Sequence, residues 1–186
     1  MTILSDRDIK KAIKNKELEI KGINLNDISC ASVDFHLGNQ FRIFKNSEIT
    51  HIDVKDGVPD NLTQLIEIPD GEKFVVHPGE LVLATTKEFI KIPSHLAGRL
   101  DGRSSLGRIG LIVHSTASAF DPGFEGNPTL EISNISTIPI IIRPGIKIAR
   151  FTLDVLSSPS ETPYSKKKGA KYFGITGPEN SRIRED

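Results

Sequence analysis

The chain has 186 residues, 37% hydrophobic and 26% charged, which fits one soluble globular domain with a real core, with or without a tail. Its 24 basic and 24 acidic residues cancel, which argues against a general nucleic-acid binder, whose surface carries a basic excess, while leaving room for a local basic pocket. A single cysteine rules out an intramolecular disulfide, and neither a signal peptide nor a run of about 18 apolar residues is present, so a cytoplasmic protein without a membrane span is expected.

The first predicted element is a helix opened by Ser5. Asp8 stands at the capping-box position, and Leu4 and Ile9 are spaced as a hydrophobic staple. Ile9, Ala12 and Ile13 recur at helical spacing and read as a packing face, with Lys10, Lys11 and Lys14 solvated. Cys30 is expected to be a buried structural thiol.

Beyond about residue 30, short runs rich in Val, Ile, Phe and Thr alternate with Gly, Pro, Asn and Asp. Strands are predicted at Val33–Phe44, Leu65–Ile68, Phe74–Val76, Leu81–Thr86, Phe89–Ile92, Ile109–Val113, Thr129–Ser133, Ile138–Ile142 and Ile146–Leu153. That rhythm predicts an all-β sandwich or barrel rather than βαβ units. Two segments are alike, Val75–Val82 around Pro78-Gly79 and Ile141–Ile148 around Pro144-Gly145. Each reads as strand, type II turn and strand, though one pair does not make a repeat protein. From Ser157 the chain turns polar, with Lys166-Lys167-Lys168 and several Gly and Pro residues. By composition it is a solvated tail, the functional alternative being a flap that closes on a charged ligand.

The chemistry-bearing motifs begin with an exclusion. One cysteine and five histidines (His36, His51, His77, His95 and His114) cannot supply the H-x-E…P-C-x-x-C arrangement of zinc nucleobase deaminases, and no H-x-x-x-H spacing occurs. No P-loop, G-x-S-x-G elbow or dinucleotide fingerprint is present either. The densest polar cluster is Asp101-Gly102-Arg103-Ser104-Ser105-Leu106-Gly107-Arg108. Its glycines, hydroxyls and two guanidiniums suit a triphosphate cradle, and equally a polar turn between strands. Asp121, in Phe120-Asp121-Pro122-Gly123-Phe124-Glu125-Gly126, reads as part of a tight turn or as an acceptor for a sugar hydroxyl. Strand alternation puts Leu130 and Ile132 on one face and Thr129, Glu131 and Ser133 on the other. Glu131 is therefore either solvent-facing or, if that face lines a pocket, a candidate general base.

Taken in order, these segments resemble the dCTP deaminase branch of the dUTP pyrophosphatase superfamily. Ile3-Leu4-Ser5-Asp6 with its helix is similar to that branch's opening, and Ser32–Gly38 to its first motif. Gly102–Arg108 resembles the second, Asp121–Gly126 the third, and Thr129-Leu130-Glu131 the strand that carries the catalytic Glu. Ser158-Pro159-Ser160 through Tyr164 and Ala170-Lys171-Tyr172 match in order and spacing, so the likeness spans nearly the whole chain.

The resemblance implies a mainly β, distorted barrel of jelly-roll type with an N-terminal helix over residues 1–156, and a C-terminal flap over 157–186. It further implies a homotrimer with nucleotide sites between subunits. The implied reaction is deamination of dCTP to dUTP and ammonia without a catalytic metal, feeding pyrimidine deoxyribonucleotide synthesis. Glu131 would activate a water against C4 of cytosine, with Ser104 and Arg108 orienting it and stabilising the tetrahedral intermediate. Arg103, Ser104 and Ser105 would hold phosphates with Tyr164 and Lys171, and Asp121 would take the 3′-hydroxyl. Leu106, Gly107, Thr129, Leu130 and Ile175 complete the implied nucleotide-binding set. Mg²⁺ would arrive with the triphosphate, and dTTP and dUTP are further ligands of the family. Two alternatives stand beside this: a bifunctional enzyme carrying dCTP through to dUMP and pyrophosphate, and a non-catalytic nucleotide-binding trimer. The chain departs from the family at His36, where Arg is common, and at Arg150 and Ile175, where relatives often carry Gln. Ser118-Ala119 matches neither pair that relatives place before the third motif.

Overall fold

A computed structural model of the chain describes residues 2–45, 49–59, 61–113 and 116–185; His114 lies outside them. After a two-residue strand β1 (Thr2–Ile3), helix α1 (Asp6–Lys14) opens as predicted. Ser5 accepts from the Asp8 N–H at 3.4 Å and donates to the Asp8 carboxylate at 3.1 Å. Ile9 and Ala12 face the core, Ile13 is half-buried, and the three lysines are exposed. Asp6 and Asp8 in the first turn and Lys11 and Lys14 in the last suit the helix dipole.

The strands follow: β2 (Glu19–Lys21), β3 (Ile28–Ser29), β4 (Ser32–Phe44), β5 (Thr63–Glu67), β6 (Phe74–Val76), β7 (Leu81–Thr86) and β8 (Phe89–Lys91). Next come β9 (Leu96–Gly102), the one-turn helix α2 (Ser104–Gly107) and β10 (Leu111–Val113). Last are β11 (Ala119–Phe120), β12 (Glu125–Gly126), β13 (Thr129–Asn134), β14 (Ile140–Ile142) and β15 (Lys147–Val155). Both Pro-Gly turns form as expected, with Gly79 at φ +77° and Gly145 at φ +83°. The expected hairpins do not form among the described residues: β6 pairs with β14, Val75 opposite Ile141, while β7 and β15 run on into the main sheet, so each turn passes the chain from one sheet to another.

These strands build a mainly β, curled half-barrel. The main sheet runs β10-β13-β7-β4-β15-β9-β11, with β5 and β3 added to β4 and β1 to β15. β4 belongs to both halves: its start pairs with β15 and its end with β7 and β5. Inside the curl, Phe35 and Phe151 stack at 5.1 Å and Phe120 lies 5.4 Å from Phe151. Phe35, Phe41 and Phe151 are fully buried, each contributing about 1.5–3 kcal/mol of hydrophobic stabilisation.

Three further expectations are corrected. Cys30 is exposed, because it sits in the turn between Ser29 and Ser32, which pair as the last rungs of β3 and β4. The strand expected to start at Ile109 starts at Leu111, since Ile109 and Gly110 donate back to Leu106 and Gly107 in the turn after α2. Strand β9 has no counterpart among the predicted runs. Its alternation Leu96, Gly98, Leu100 is real, but its central inward position is a glycine and carries no hydrophobic signal. The reason is steric: a Cβ on Gly98 would stand 2.2 Å from Cζ of Phe151, so the ring occupies the space a side chain would need.

The outer side of the β4–β15 seam carries an ionic network. Glu88, fully buried, accepts the His36 main-chain N–H at 2.8 Å and lies 2.7 Å from its Nδ1. His36 Nε2 is 3.8 Å from Asp27, and Lys147 bridges Asp27 at 2.9 Å and Asp34 at 3.1 Å. Burial pushes the Glu88 carboxyl above its ordinary range against the pull of His36. Burial would also raise Asp27, but the Lys147 ammonium and the Asn24 N–H outweigh it and hold that carboxyl low. The same contacts, first to Asp27 and then to Asp34, raise Lys147.

Two outcomes follow for stability. Gly98→Ala lowers stability by about 1–3 kcal/mol through overpacking, and Phe151→Leu in the same chain recovers part of the loss; chemical denaturation of the four proteins measures the coupling. Asp27→Asn lowers the thermal midpoint at pH 7 by about 2–4 °C, as a loss of about 1 kcal/mol does in a domain of this size. A depressed carboxyl stabilises above its unfolded value and loses that contribution as pH falls through the folded one. The gap between wild type and variant therefore closes as pH drops below 3.8, and melting curves over that range test it.

Candidate functional site

Strand β13 sets the geometry of the site. Leu130, Ile132 and Asn134 are buried on one face, and Thr129, Glu131 and Ser133 are half-buried on the other, the period-2 pattern read from the sequence. Glu131 pairs across the ladder with Leu83 of β7, and Thr116 Oγ1 donates to its carboxylate at 3.4 Å. Its face does line a pocket. A cavity of about 550 Å³ is walled by Thr129 and Glu131, by Leu81 and Leu83, and by Asp121, Phe124, Tyr164, Tyr172 and Ile175. The Thr129 hydroxyl is buried with no hydrogen-bond partner among the described residues.

Asp121 opens a tight turn in which the Phe124 N–H donates to its carbonyl at 3.1 Å and Gly123 takes φ +82°. A side chain at Gly123 would also strike the tail, its Cβ falling 2.7 Å from Cβ of Pro163 and 3.0 Å from the Tyr164 nitrogen. Glycine there serves the turn and lets the tail dock, through the Tyr164 N–H donating to Pro122 at 2.7 Å. Ile175 is seated similarly. It bridges Gly126 and its carbonyl accepts the Asn127 N–H at 2.8 Å, where a Cβ on Gly126 would lie 2.8 Å from that same oxygen.

Glu131, Thr129, Asp121, Tyr164 and Ile175 are thus brought together. Leu130 adjoins them only through the main chain, its side chain being in the core. The cluster Arg103–Arg108 is elsewhere. It forms α2 and the turn after it, outside the cavity walls, with Ser104, Ser105, Gly107 and Arg108 exposed and Arg103 and Leu106 half-buried. Nor is it an open glycine loop, because the Gly107 and Arg108 N–H groups are spent on Arg103 and Ser104 inside the helical turn. The Arg103 guanidinium lies 3.4 Å from the Lys147 carbonyl, so the cluster abuts the ionic network. Arg150 faces the same network, 3.6 Å from Asp34. Lys171 is half-buried beside the cavity but does not line it.

Sequence reasoning missed the apolar wall from Ile52, Val58 and Leu62 and the polar one from Tyr172, Glu179 and Asn180. Tyr172 had a signal, being one of only two tyrosines in the chain, but segments 49–62 and 178–181 carry no motif. Among the described residues no group of three His, Cys, Asp or Glu side chains is placed to hold a metal ion, and no helix is long and apolar enough to cross a membrane.

A family model described as dCTP deaminase-like matches residues 3–156. A protein of Corynebacterium glutamicum (strain R) named "dCTP deaminase, dUMP-forming" is 52% identical over 181 residues, covering 97% of this chain and 95% of its own. A protein of the same name from Dictyoglomus thermophilum is 48% identical over 186 residues, covering 99% and 96%. Among solved structures, 2′-deoxycytidine 5′-triphosphate deaminase from Agrobacterium tumefaciens superposes with a TM-score of 0.64 at 18% identity. The match spans 83% of this chain and 48% of that one, a likeness of fold.

Proposed function

We propose that this chain, which belongs to the dCTP deaminase-like family, is an enzyme that converts dCTP to dUMP, ammonia and pyrophosphate in two hydrolyses. The observation that carries the reading is the seat of Glu131: a half-buried carboxylate on a cavity wall shared with Asp121, Thr129 and Tyr164. In the first hydrolysis Glu131 takes a proton from a water that adds to C4 of cytosine, then passes it to the departing ammonia. Asp121 accepts the 3′-hydroxyl, and the orphaned Thr129 hydroxyl gains a partner on the nucleotide. In the second, water displaces pyrophosphate from dUTP. Ending at dUMP, where the sequence resemblance alone led with dUTP, is supported by the names of relatives at 48–52% identity.

The substrate is the Mg²⁺ complex of dCTP, and no metal is assigned to the protein's own side chains. The reaction belongs to the cytoplasm and to pyrimidine deoxyribonucleotide synthesis. Residues 157–186 act as a flap over the barrel of residues 1–156, a reading supported by Tyr164, Tyr172 and Ile175 on the cavity wall.

Ser104 and Arg108 complete the site from a second copy in a trimer. Their exposure outside the cavity supports this. So does the apolar surface next to them, where Ile109 is 53% and Ile135 69% exposed and the Ile135 N–H donates to Gly110.

Incubation with dCTP and Mg²⁺, followed by anion-exchange separation of the products, tests the reaction. The expected products are dUMP and pyrophosphate without build-up of dUTP, and Glu131→Gln abolishes turnover while retaining binding. Accumulating dUTP would make the enzyme a deaminase alone, and untouched dCTP would sink the reading in favour of a nucleotide-binding trimer. The shared site has its own test. Glu131→Gln and Arg108→Ala, each inactive alone, regain about one quarter of wild-type activity when unfolded and reassembled together, because that fraction of sites draws both intact residues from different copies. No recovery would place the whole site in one chain.

A further inference from the structure

Beyond the matched residues 3–156, the last turns of the chain are tied into a closed loop by one side chain. The Arg182 guanidinium donates to the Lys171 carbonyl and to Glu179 at 3.3 Å, and lies 5.8 Å from the centre of the Tyr172 ring. The Arg182 main-chain N–H donates to the Tyr172 hydroxyl at 3.0 Å, and the Tyr172 N–H donates to the Tyr164 hydroxyl at 3.0 Å. The far side of the loop is pinned to the barrel. Arg42 of β4 donates to the Pro178 carbonyl at 2.8 Å and to Thr63 at 3.1 Å, and Thr63 donates onward to Asn180 at 2.5 Å.

Hydrogen-bond direction makes this arrangement informative. Each phenol oxygen already accepts a main-chain N–H, and a tyrosine hydroxyl has one proton to give. Both rings line the cavity, so both O–H groups are left as donors for an acceptor that enters it. The flanking segment carries Lys166, Lys167, Lys168 and Lys171, with the Lys167 ammonium 5.9 Å over the Tyr164 ring, so the acceptor favoured here is anionic. The Arg182 guanidinium is itself occupied by Lys171 and Glu179. Its role is to hold the loop.

We infer that Tyr172 donates to a phosphate oxygen of the bound nucleotide beside Tyr164, and that Arg182 is the positioning residue that sets it there. The inference rests on the nucleotide reading above, and the experiment separates the two. Tyr172→Phe, Arg182→Ala and Arg182→Lys are prepared in the full chain. Each is assayed for dCTP turnover with Mg²⁺ and, in a Glu131→Gln background, for binding of dCTP and of deoxycytidine by calorimetry.

Tyr172→Phe and Arg182→Ala are expected to raise KM and the dCTP Kd about tenfold, with kcat within about twofold and deoxycytidine binding unchanged. Arg182→Lys recovers part of the loss, because an ammonium still reaches the Lys171 carbonyl but cannot span Glu179 as a fork does. Wild-type KM and Kd in both variants would overturn the inference. Equal losses for dCTP and deoxycytidine would also overturn it, as would a fall in thermal midpoint and kcat at constant KM, the mark of a structural role. If the unaltered protein binds dCTP but does not consume it, the proposed reaction fails while the binding series still decides on Tyr172 and Arg182. If it does not bind dCTP, both fail.

Discussion

Everything in this molecule hangs on β4. Its thirteen residues pair with β15 and β3 at one end and with β7 and β5 at the other, so one strand is common to both halves of the curled sheet. The change of partner coincides with a break in register between Leu37 and Phe41. There a Cβ on Gly38 would lie only 3.0 Å from the Thr85 carbonyl, so the strand bends where it has no side chain to obstruct it. The cavity beside β7 and β13 and the basic cluster beyond β9 are therefore both built on one continuous sheet.

The first half of β4 is covered on both faces. Phe35 stacks on Phe151 inward, while Asp34 and His36 turn outward into the network of Glu88, Asp27 and Lys147. A buried ionic network of this kind adds little net stability, since desolvation offsets most of the Coulomb attraction. Its contribution is positional. Lys147 side chain and carbonyl tie Asp27, Asp34 and Arg103 to the seam, so the base of α2 inherits the rigidity of the sheet. His36 lies within reach of two carboxylates, 2.7 Å from Glu88 and 3.8 Å from Asp27.

The tail has the opposite character. Its docking uses main-chain bonds to Pro122, Asn127 and Glu125, and two glycines without side chains to make room. Few of its side chains are fully buried, and such a segment opens at lower free-energy cost than the sheet beneath it. That is the physical setting in which a polar, lysine-rich stretch can serve as a cavity wall that a ligand completes.

Local rules determined a good deal of this protein. Capping at Ser5, the Pro-Gly turns and the alternation around Glu131 each depend on neighbours within a few residues, and each appears as read. Strand β9 did not, because the space a side chain at Gly98 would need is filled by Phe151, 53 positions later in the chain. Cys30 was misjudged because a thiol's average burial carries no knowledge of the turn it occupies. Residue type left Glu131 and Asp121 open between a structural and a functional role, and it was the resemblance of the ordered motifs to a known family that named them together with Tyr164. Only the folded chain decided that these share a cavity, that Ser104 and Arg108 stand outside it, and that Tyr172, Glu179 and Asn180 close it. Contacts between distant segments depend on the path of the backbone in space, and that path is set by packing of the whole sheet, with no local pattern to carry it.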